Sequence, residues 1–499
     1  MLNVVDVKTI KASEKLVIET EIQSKELIIR AAKEIFCSYR YKNKTAIVCG
    51  SGNNGSDGYV LANLLFDNGD ICHIYLTSEK FTDEGKYFYN LCKNKGIKSY
   101  IANENTDFSG YDTIVDCIFG IGFYGTVDLK TEKIIKNINC SGAYIISVDI
   151  NSGLNADNGL HNICVKSNLT LSIGTLKSGL LLNQAKDVVG KLQNLDIGIP
   201  TPKKYQLLEV SDFKEYLNNR KNYSHKGNYG YTAIMGGCFN YSGAVKLSAI
   251  ASGALRSGCG VVRVIIPDRI YCSFAQHIEE ATIFCMNSKR DGHIKFNSKQ
   301  ITNALKNIKA LAIGMGWGNG KDNYKILKYI IENFDIPIII DADGLNAIAK
   351  CPDILMHKKS NIILTPHIKE FSRLSGKSCE EILSNPIESA ERFSSKYKVI
   401  TVLKGPTTII TDGNVTYLCD RGCPGMATAG SGDILSGIIL SAVCQNSKNP
   451  LLSVAFATFI NGIAGELAQD SFSDIGMTAK DTVTKIPDAI IYCRKIIEK

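Results

Sequence analysis

From about residue 45 the chain alternates short apolar runs, rich in β-branched residues, with longer stretches whose apolar positions recur at helical spacing. Residues 45–49, 71–76, 113–117, 144–148 and 169–173 read as strands, and 59–68 as a helix. The runs are apolar throughout instead of alternating with polar residues, which predicts a parallel sheet covered on both faces. After Ile199-Pro-Thr-Pro202, a proline-stiffened link, the pattern starts again. Residues 231–235, 260–266, 310–313, 337–340, 362–364 and 399–403 read as a second set of strands separated by helices. The fold class expected is α/β, in two domains spanning 1–205 and 206–499.

Composition narrows the class. Hydrophobic residues make up 44% and charged residues 21% of the 499, ordinary values for a globular protein. The net charge of +8 is spread thinly, and pairs such as Lys203-Lys204 and Lys358-Lys359 read as solvated surface, so no nucleic-acid partner is expected. Seventeen cysteines lie scattered without a C-x-x-C pair, many inside apolar runs, which points to free thiols in a reducing, cytoplasmic setting. The first residues lack the layout of a signal peptide. The apolar run 451–468 is broken by Asn461, Gly462, Gly465 and Glu466, so it reads as a packed core helix and no membrane partner is expected.

Ligands on open parallel sheets bind beyond the carboxyl ends of the strands, and the polar residues collect there. Residues 50–58, Gly-Ser-Gly-Asn-Asn-Gly-Ser-Asp-Gly, form a G-x-G-x-x-G turn between strand and helix that suits a phosphate or dinucleotide. Asp116 leads into Gly120-Ile-Gly122, and Asp149-Ile-Asn-Ser152 follows a later strand. Oxygens from three strand ends suit a hard cation or a sugar, although each Asp taken singly reads equally as a turn cap. In the second half, Gly314-Met-Gly-Trp-Gly318, Asp341-Ala-Asp343, Thr365-Pro-His367 and Lys404-Gly-Pro-Thr-Thr408 follow successive strands. Gly422-Cys-Pro-Gly-Met-Ala-Thr-Ala-Gly-Ser-Gly-Asp433 then opens an apolar helix. The unpaired N–H groups of such a start can hold an anion, and Asp433 stands where the helix dipole favours a carboxylate. Alone, this turn reads equally as a capped helix behind a loop.

Asn53-Asn-Gly-Ser-Asp-Gly58, 116–122, 149–153, Lys177-Ser-Gly179 and Asp196-Ile-Gly-Ile-Pro200, in that order, resemble the NAD(P)H-hydrate epimerase domain. The resemblance implies a Rossmann-like three-layer fold that interconverts the R and S forms of hydrated NADH and NADPH with a bound potassium ion. It implies that Asn54, Asp116 and Ser152 hold the potassium. It assigns substrate contacts to Asn53, Asn54, Gly55, Ser56, Asp57, Gly120, Ile121, Gly122, Phe123, Tyr124, Gly125 and Thr126, and acid/base work to Asp149. The chain has Ser56 where that family usually has Gly, and Asn151 and Ser178 where it usually has Pro.

His225-Lys-Gly227, Gly314 to Gly318, Thr365-Pro-His367 and Pro424 to Gly437 resemble the ribokinase-like NAD(P)H-hydrate dehydratase domain, with Cys423 in place of the usual Asn. The resemblance implies that Ala244, Gly316, His367 and Asp433 contact the hydrate, with Asp433 catalytic, and that Lys404, Gly405, Pro406, Thr407, Thr408 and Gly432 contact the adenine nucleotide. ADP or ATP, with magnesium, would phosphorylate the hydrate hydroxyl, and loss of phosphate would restore the nicotinamide; with ADP the products are AMP and phosphate. The expected function is therefore two-step repair of hydrated NAD(P)H. A ribokinase-like small-molecule kinase with a non-catalytic Rossmann-like module is the alternative, separated by whether a phosphorylated product accumulates. A scaffold role is disfavoured by the full set Asn54, Asp116, Asp149 and Ser152. The many packed small residues suggest a homo-oligomer.

Overall fold

Uninterrupted apolar runs need cover on both faces. The computed structural model, which describes residues 1–41, 44–252, 256–276 and 278–498, provides it within two compact units, Leu2–Lys204 and Tyr205–Lys499 with Met1.

In the first unit a seven-stranded parallel sheet runs Ser99–Ile101, Ile71–Leu76, Lys44–Cys49, Thr113–Cys117, Tyr144–Val148, Leu169–Ile173, Lys191–Leu195. The chain starts in the middle, builds to one edge, then returns and builds to the other. Lys44–Cys49 and Thr113–Cys117 therefore flank the point where strand order reverses, the usual place for a ligand crevice. The loops beyond these strands touch: a Cβ on Gly50 would stand 1.9 Å from the Ile118 carbonyl oxygen, so only glycine permits the approach.

The helix after the first strand spans Asn53–Asp67, six residues earlier than the pattern suggests. Asparagine and glycine are weak helix formers, but close packing overrides propensity here, since a Cβ on Gly55 would meet the Gly50 carbonyl oxygen at 2.2 Å.

Two amphipathic helices, Val7–Thr20 and Ser24–Ser38, precede the sheet, and Asp6 caps the first by accepting from the Thr9 N–H at 2.8 Å. Ile10, Val17, Leu27, Ile28 and Ile35 join the sheet's core, each worth about 1.5–3 kcal/mol of burial. The strand Leu2–Val5 pairs in parallel with Leu176–Lys177, placing Val5 opposite Lys177.

In the second unit the sheet runs Thr282–Met286, Val261–Pro267, Tyr231–Met235, Ala310–Ile313, Ile338–Ile340, Ile362–Leu364, Ile400–Leu403, Thr408–Thr411, Thr416–Cys419, Tyr205–Leu207. Pairing is parallel up to Ile400–Leu403 and antiparallel through the next two strands. Helices Ser242–Ser252, Ser431–Gln445, Pro450–Gly476 and Ala479–Ile497 contribute to its core. Pro450–Gly476 is long and apolar enough to cross a membrane by length and composition, yet 78% of its most apolar window is buried inside the protein.

Candidate active sites

The crevice of the first unit is a cavity of about 580 Å³. Its walls include Ser51 to Asn54, Asp57, Ile118 to Tyr124 and Asp149, together with Lys11, Glu14 and Ile18 from the first helix. Gly55 and Ser56 are buried behind it, and the Ser56 hydroxyl lies 3.4 Å from that of Thr82. Gly125 and Thr126 line a neighbouring hollow of about 520 Å³ with Phe123 and Tyr124. The expected substrate contacts thus divide between two hollows and the packing behind the first.

Asp116 is fully buried and accepts four hydrogen bonds, from the Ile118 N–H (3.2 Å), the Ser147 hydroxyl (2.9 Å), the Ser152 N–H (2.9 Å) and the Ser152 hydroxyl (2.5 Å). Burial raises its carboxyl above the ordinary value, opposed by those hydrogen bonds. The Ser152 hydroxyl oxygen also accepts from the Phe119 N–H at 2.9 Å. Asn54 donates its amide to the Phe119 and Val148 carbonyls at 2.8 and 3.1 Å. Its buried Oδ1 has no hydrogen-bond partner among the described residues. An orphaned amide oxygen in the same loop cluster as a buried carboxylate is a donor set that fits a weakly held, oxygen-ligated cation.

Asp149 adopts φ 69°, a strained region for a non-glycine residue. One carboxylate oxygen accepts from the Ile121 N–H at 3.1 Å and the other lies 2.5 Å from Lys177 Nζ. Lys177 is almost wholly buried and also donates to the Ile173 carbonyl at 2.6 Å. Two further carboxyls line the cavity. Burial, then the charge of Asp149, raises Glu14 to about 7 and Asp57 well above its ordinary value.

The residues that depart from the epimerase pattern are hydrogen-bonded in place. Asn151 donates to the Val165 and Val188 carbonyls at 3.0 and 2.9 Å and to the Ser167 hydroxyl at 2.7 Å. The Ser178 hydroxyl donates to the Asp157 carbonyl at 2.7 Å.

In the second unit the polar strand ends converge on Lys404. Its Nζ lies 3.2 Å from Asp341 and 4.0 Å from Glu370. Burial works against the ammonium, but Asp341 and Glu370 outweigh it and hold the group above its ordinary value. Asp341 also accepts from the Ser436 hydroxyl at 2.6 Å. Gly432 sits over this pair, because a Cβ there would meet Lys404 Nζ at 3.1 Å and an Asp341 oxygen at 3.8 Å. Its neighbour Asp433, in the first turn of Ser431–Gln445, is raised to about 7 by burial first and then by Asp341, with Lys404 opposing.

His367 caps the helix Ile368–Ser375, its Nδ1 accepting from the Lys369 and Glu370 N–H groups at 3.1 and 3.3 Å. Capping does not remove it from the site, since its backbone bridges to Lys404. Burial lowers its imidazole below the ordinary value, and with Nδ1 accepting, a neutral ring carries its proton on Nε2. Gly316 and Ala244 also meet, a Cβ on Gly316 falling 3.0 Å from that of Ala244. Gly405 and Pro406 are exposed in the turn before Thr408–Thr411, while Thr407 is buried and Thr408 half-buried. The Cys423 thiol donates to the Gly465 carbonyl at 3.3 Å.

Lys177, Glu14, Asp341 and Ser436 carry no assigned role in the sequence reading. Lys177 and Asp341 lie within quoted strand-end motifs, a signal that was available. Glu14 has none beyond its place on an amphipathic helix.

Residues 232–488 match the family model described as NAD(P)H-hydrate dehydratase, and residues 24–179 the one described as YjeF-related protein N-terminus. A bifunctional NAD(P)H-hydrate repair enzyme of Thermofilum pendens is 30% identical over 98% of this chain and 95% of its own. The protein of that name from Coxiella burnetii is 32% identical over 95% of this chain and 96% of its own. A ribokinase-like superfamily protein of Enterococcus faecalis shares the fold over 58% of this chain and 96% of that one, with a TM-score of 0.50 and 22% identity.

Proposed function

The chain belongs to the bifunctional NAD(P)H-hydrate repair enzymes, and from that premise we propose how its residues divide the work. It is an isomerase and a lyase acting on hydrated NAD(P)H. The epimerase domain lies in the first unit and the dehydratase domain in the second.

In the second unit Asp433 takes the proton of the C6 hydroxyl as that oxygen attacks the terminal phosphorus of ADP or ATP. The bond from phosphorus to the bridging oxygen breaks, releasing AMP from ADP or ADP from ATP. The C6–O bond then breaks with phosphate as leaving group and a C5 proton is lost, which restores the ring double bond. Gly432, through its backbone N–H at a helix start, and Lys404 offset charge on the transferring phosphoryl group. Gly405, Pro406, Thr407 and Thr408 receive the nucleotide, and Ala244, Gly316 and His367 receive the hydrate. Asp341, Glu370 and Asp433 act on Lys404, and Asp343 acts on Asp433, so a divalent ion would arrive on the nucleotide phosphates and meet acidic side chains there. Magnesium so carried would add positive charge beside the transferring group.

In the first unit Asp149 exchanges a proton with the C6 hydroxyl or the water that replaces it, held in place by Lys177 and the Ile121 N–H. Potassium held by Asn54, Asp116 and Ser152 would supply a fixed charge beside the cavity. Asp433 beside Lys404 is the observation that carries the reading, because a half-buried carboxyl raised to about 7 is suited to take a hydroxyl proton near neutrality.

The test is to incubate the protein with mixed-epimer hydrate of NADH, ADP, magnesium and potassium and follow the near-ultraviolet band of reduced nicotinamide. Full recovery is expected from the wild type and only the S fraction from Asp149→Ala. No recovery by the wild type overturns the dehydratase assignment, and accumulation of a phosphorylated product favours the kinase alternative.

A further inference from the structure

The cavity of the first unit holds two acidic groups, Glu14 and Asp57, beyond the Asp149 that the proposed epimerase chemistry uses. Glu14 comes from the helix Val7–Thr20, which follows directly on the strand Leu2–Val5. That strand pairs with Leu176–Lys177, and the Val7 N–H donates to Asp157 at 2.7 Å. Two anchors therefore fix the start of the helix beside Lys177, and Glu14 lines the same cavity as Asp57 and Asp149. The Oδ1 of Asn54, a residue 6% exposed on the same cavity wall, lacks a partner among the described residues, which independently marks the hollow as built to receive a ligand.

The two carboxyls differ in their partners. Asp149 is paired with the buried Lys177 ammonium and accepts a backbone N–H. Glu14 has no ion pair or hydrogen bond among the described residues; the charges that act on it are Asp149, Lys177 and Lys11, and it in turn acts on Asp57. Asp149 is thus held by a cation and a backbone N–H, while burial and then the charge of Asp149 raise the unpaired Glu14 to about 7.

We propose that Glu14 is the second proton-transfer residue of the first site, acting as the acid that protonates the departing C6 hydroxyl while Asp149 acts as the base for the water that replaces it. This rests on the reading that the first unit epimerises hydrated NAD(P)H. Glu14 gives its proton to the C6 hydroxyl, and the C6–O bond breaks to release water. The N1 lone pair forms a C6=N1 iminium. Water adds to the other face of C6 as Asp149 takes its proton, and the iminium electrons return to N1. Nothing is oxidised or reduced. The reverse reaction, or exchange with solvent, resets the two carboxyls.

The experiment uses the full chain and pure R-hydrate of NADH without nucleotide, with R and S resolved by chromatography, and includes Glu14→Gln, Glu14→Asp and Asp149→Asn. Glu14→Gln is expected to lose at least ~100-fold in kcat and the alkaline fall of its pH profile. Glu14→Asp, which keeps an acid on a shorter stem, should recover part of the rate with that fall displaced. In water enriched in heavy oxygen, label should enter the C6 hydroxyl at the rate of epimerisation. A Glu14→Gln rate within threefold of wild type, with an unchanged pH profile, overturns the role of Glu14, as does epimerisation without label uptake. A wild type no faster than spontaneous epimerisation overturns the reading of the whole site along with it. Loss in both Glu14 variants with an unmoved pH profile assigns Glu14 to structure and also overturns the proposal.

Discussion

Lys177 places its ammonium 2.5 Å from Asp149, with only 1% of the lysine side chain exposed. Removing the cation leaves a largely buried carboxylate without its partner, which costs about 3–5 kcal/mol where such pairs are broken. Lys177→Met is therefore expected to destabilise the first unit by that amount, read by urea unfolding. Epimerisation should fall by at least ~100-fold because Asp149 loses its orientation. Equal stability and activity in the variant would remove the pair from the mechanism.

The pH behaviour of Asp433 follows from its rise to about 7. A carboxyl that binds its proton more tightly when folded stabilises the protein fully below its unfolded value near 4, and loses that contribution as pH climbs to about 7. The thermal midpoint of the second unit should fall over that window in the wild type and fall less in Asp433→Asn. The same change should reduce dehydration by ~100-fold or more, since asparagine cannot take the hydroxyl proton. A variant with wild-type turnover would exclude Asp433 as the base.

Potassium dependence can be read without turnover. Raising potassium chloride at fixed ionic strength, against choline chloride, should raise the thermal midpoint of the first unit, because an ion bound only by the folded state stabilises it by mass action. Asp116→Asn should abolish the difference between the two salts. A wild type indifferent to the choice of salt would argue against the site at Asn54, Asp116 and Ser152.

Gly316 adopts φ 60°, and a Cβ there would stand 2.2 Å from the Tyr241 carbonyl oxygen. Gly316→Ala should cost roughly 1–3 kcal/mol in the second unit and suppress dehydration while leaving epimerisation intact. Calorimetry with the two activity assays on one preparation checks all three.

The strand ends were legible because a buried parallel sheet writes itself as unbroken apolar runs, and whatever follows such a run lies at a ligand-binding edge. Asp149, His367 and Lys404 follow such runs, Asp433 stands in a turn that opens a helix, and the roles of all four come from the family resemblance. His367 is at once a helix cap and the backbone neighbour of Lys404. Lys177 was harder, because a lysine's burial depends on what packs over it, here a strand from the opposite end of the domain sequence. Glu14 was invisible: on an amphipathic helix a glutamate facing a cavity looks like one facing water. The early start at Asn53 was missed because local propensity says nothing of the Gly50 carbonyl that Gly55 packs against.

The loop that opens the helix at Ser431 is tied down from one side. Glu466 accepts from the Gly422 N–H at 2.8 Å and pairs with Arg421, and Gln469 accepts from the Gly425 N–H at 3.1 Å. Both acceptors belong to Pro450–Gly476, whose apolar length is sunk in the core. The turn proposed to hold the phosphoryl group therefore cannot shift without unseating a core helix. Its ordering entropy is met when the chain folds, and a nucleotide bound there would find the turn already set.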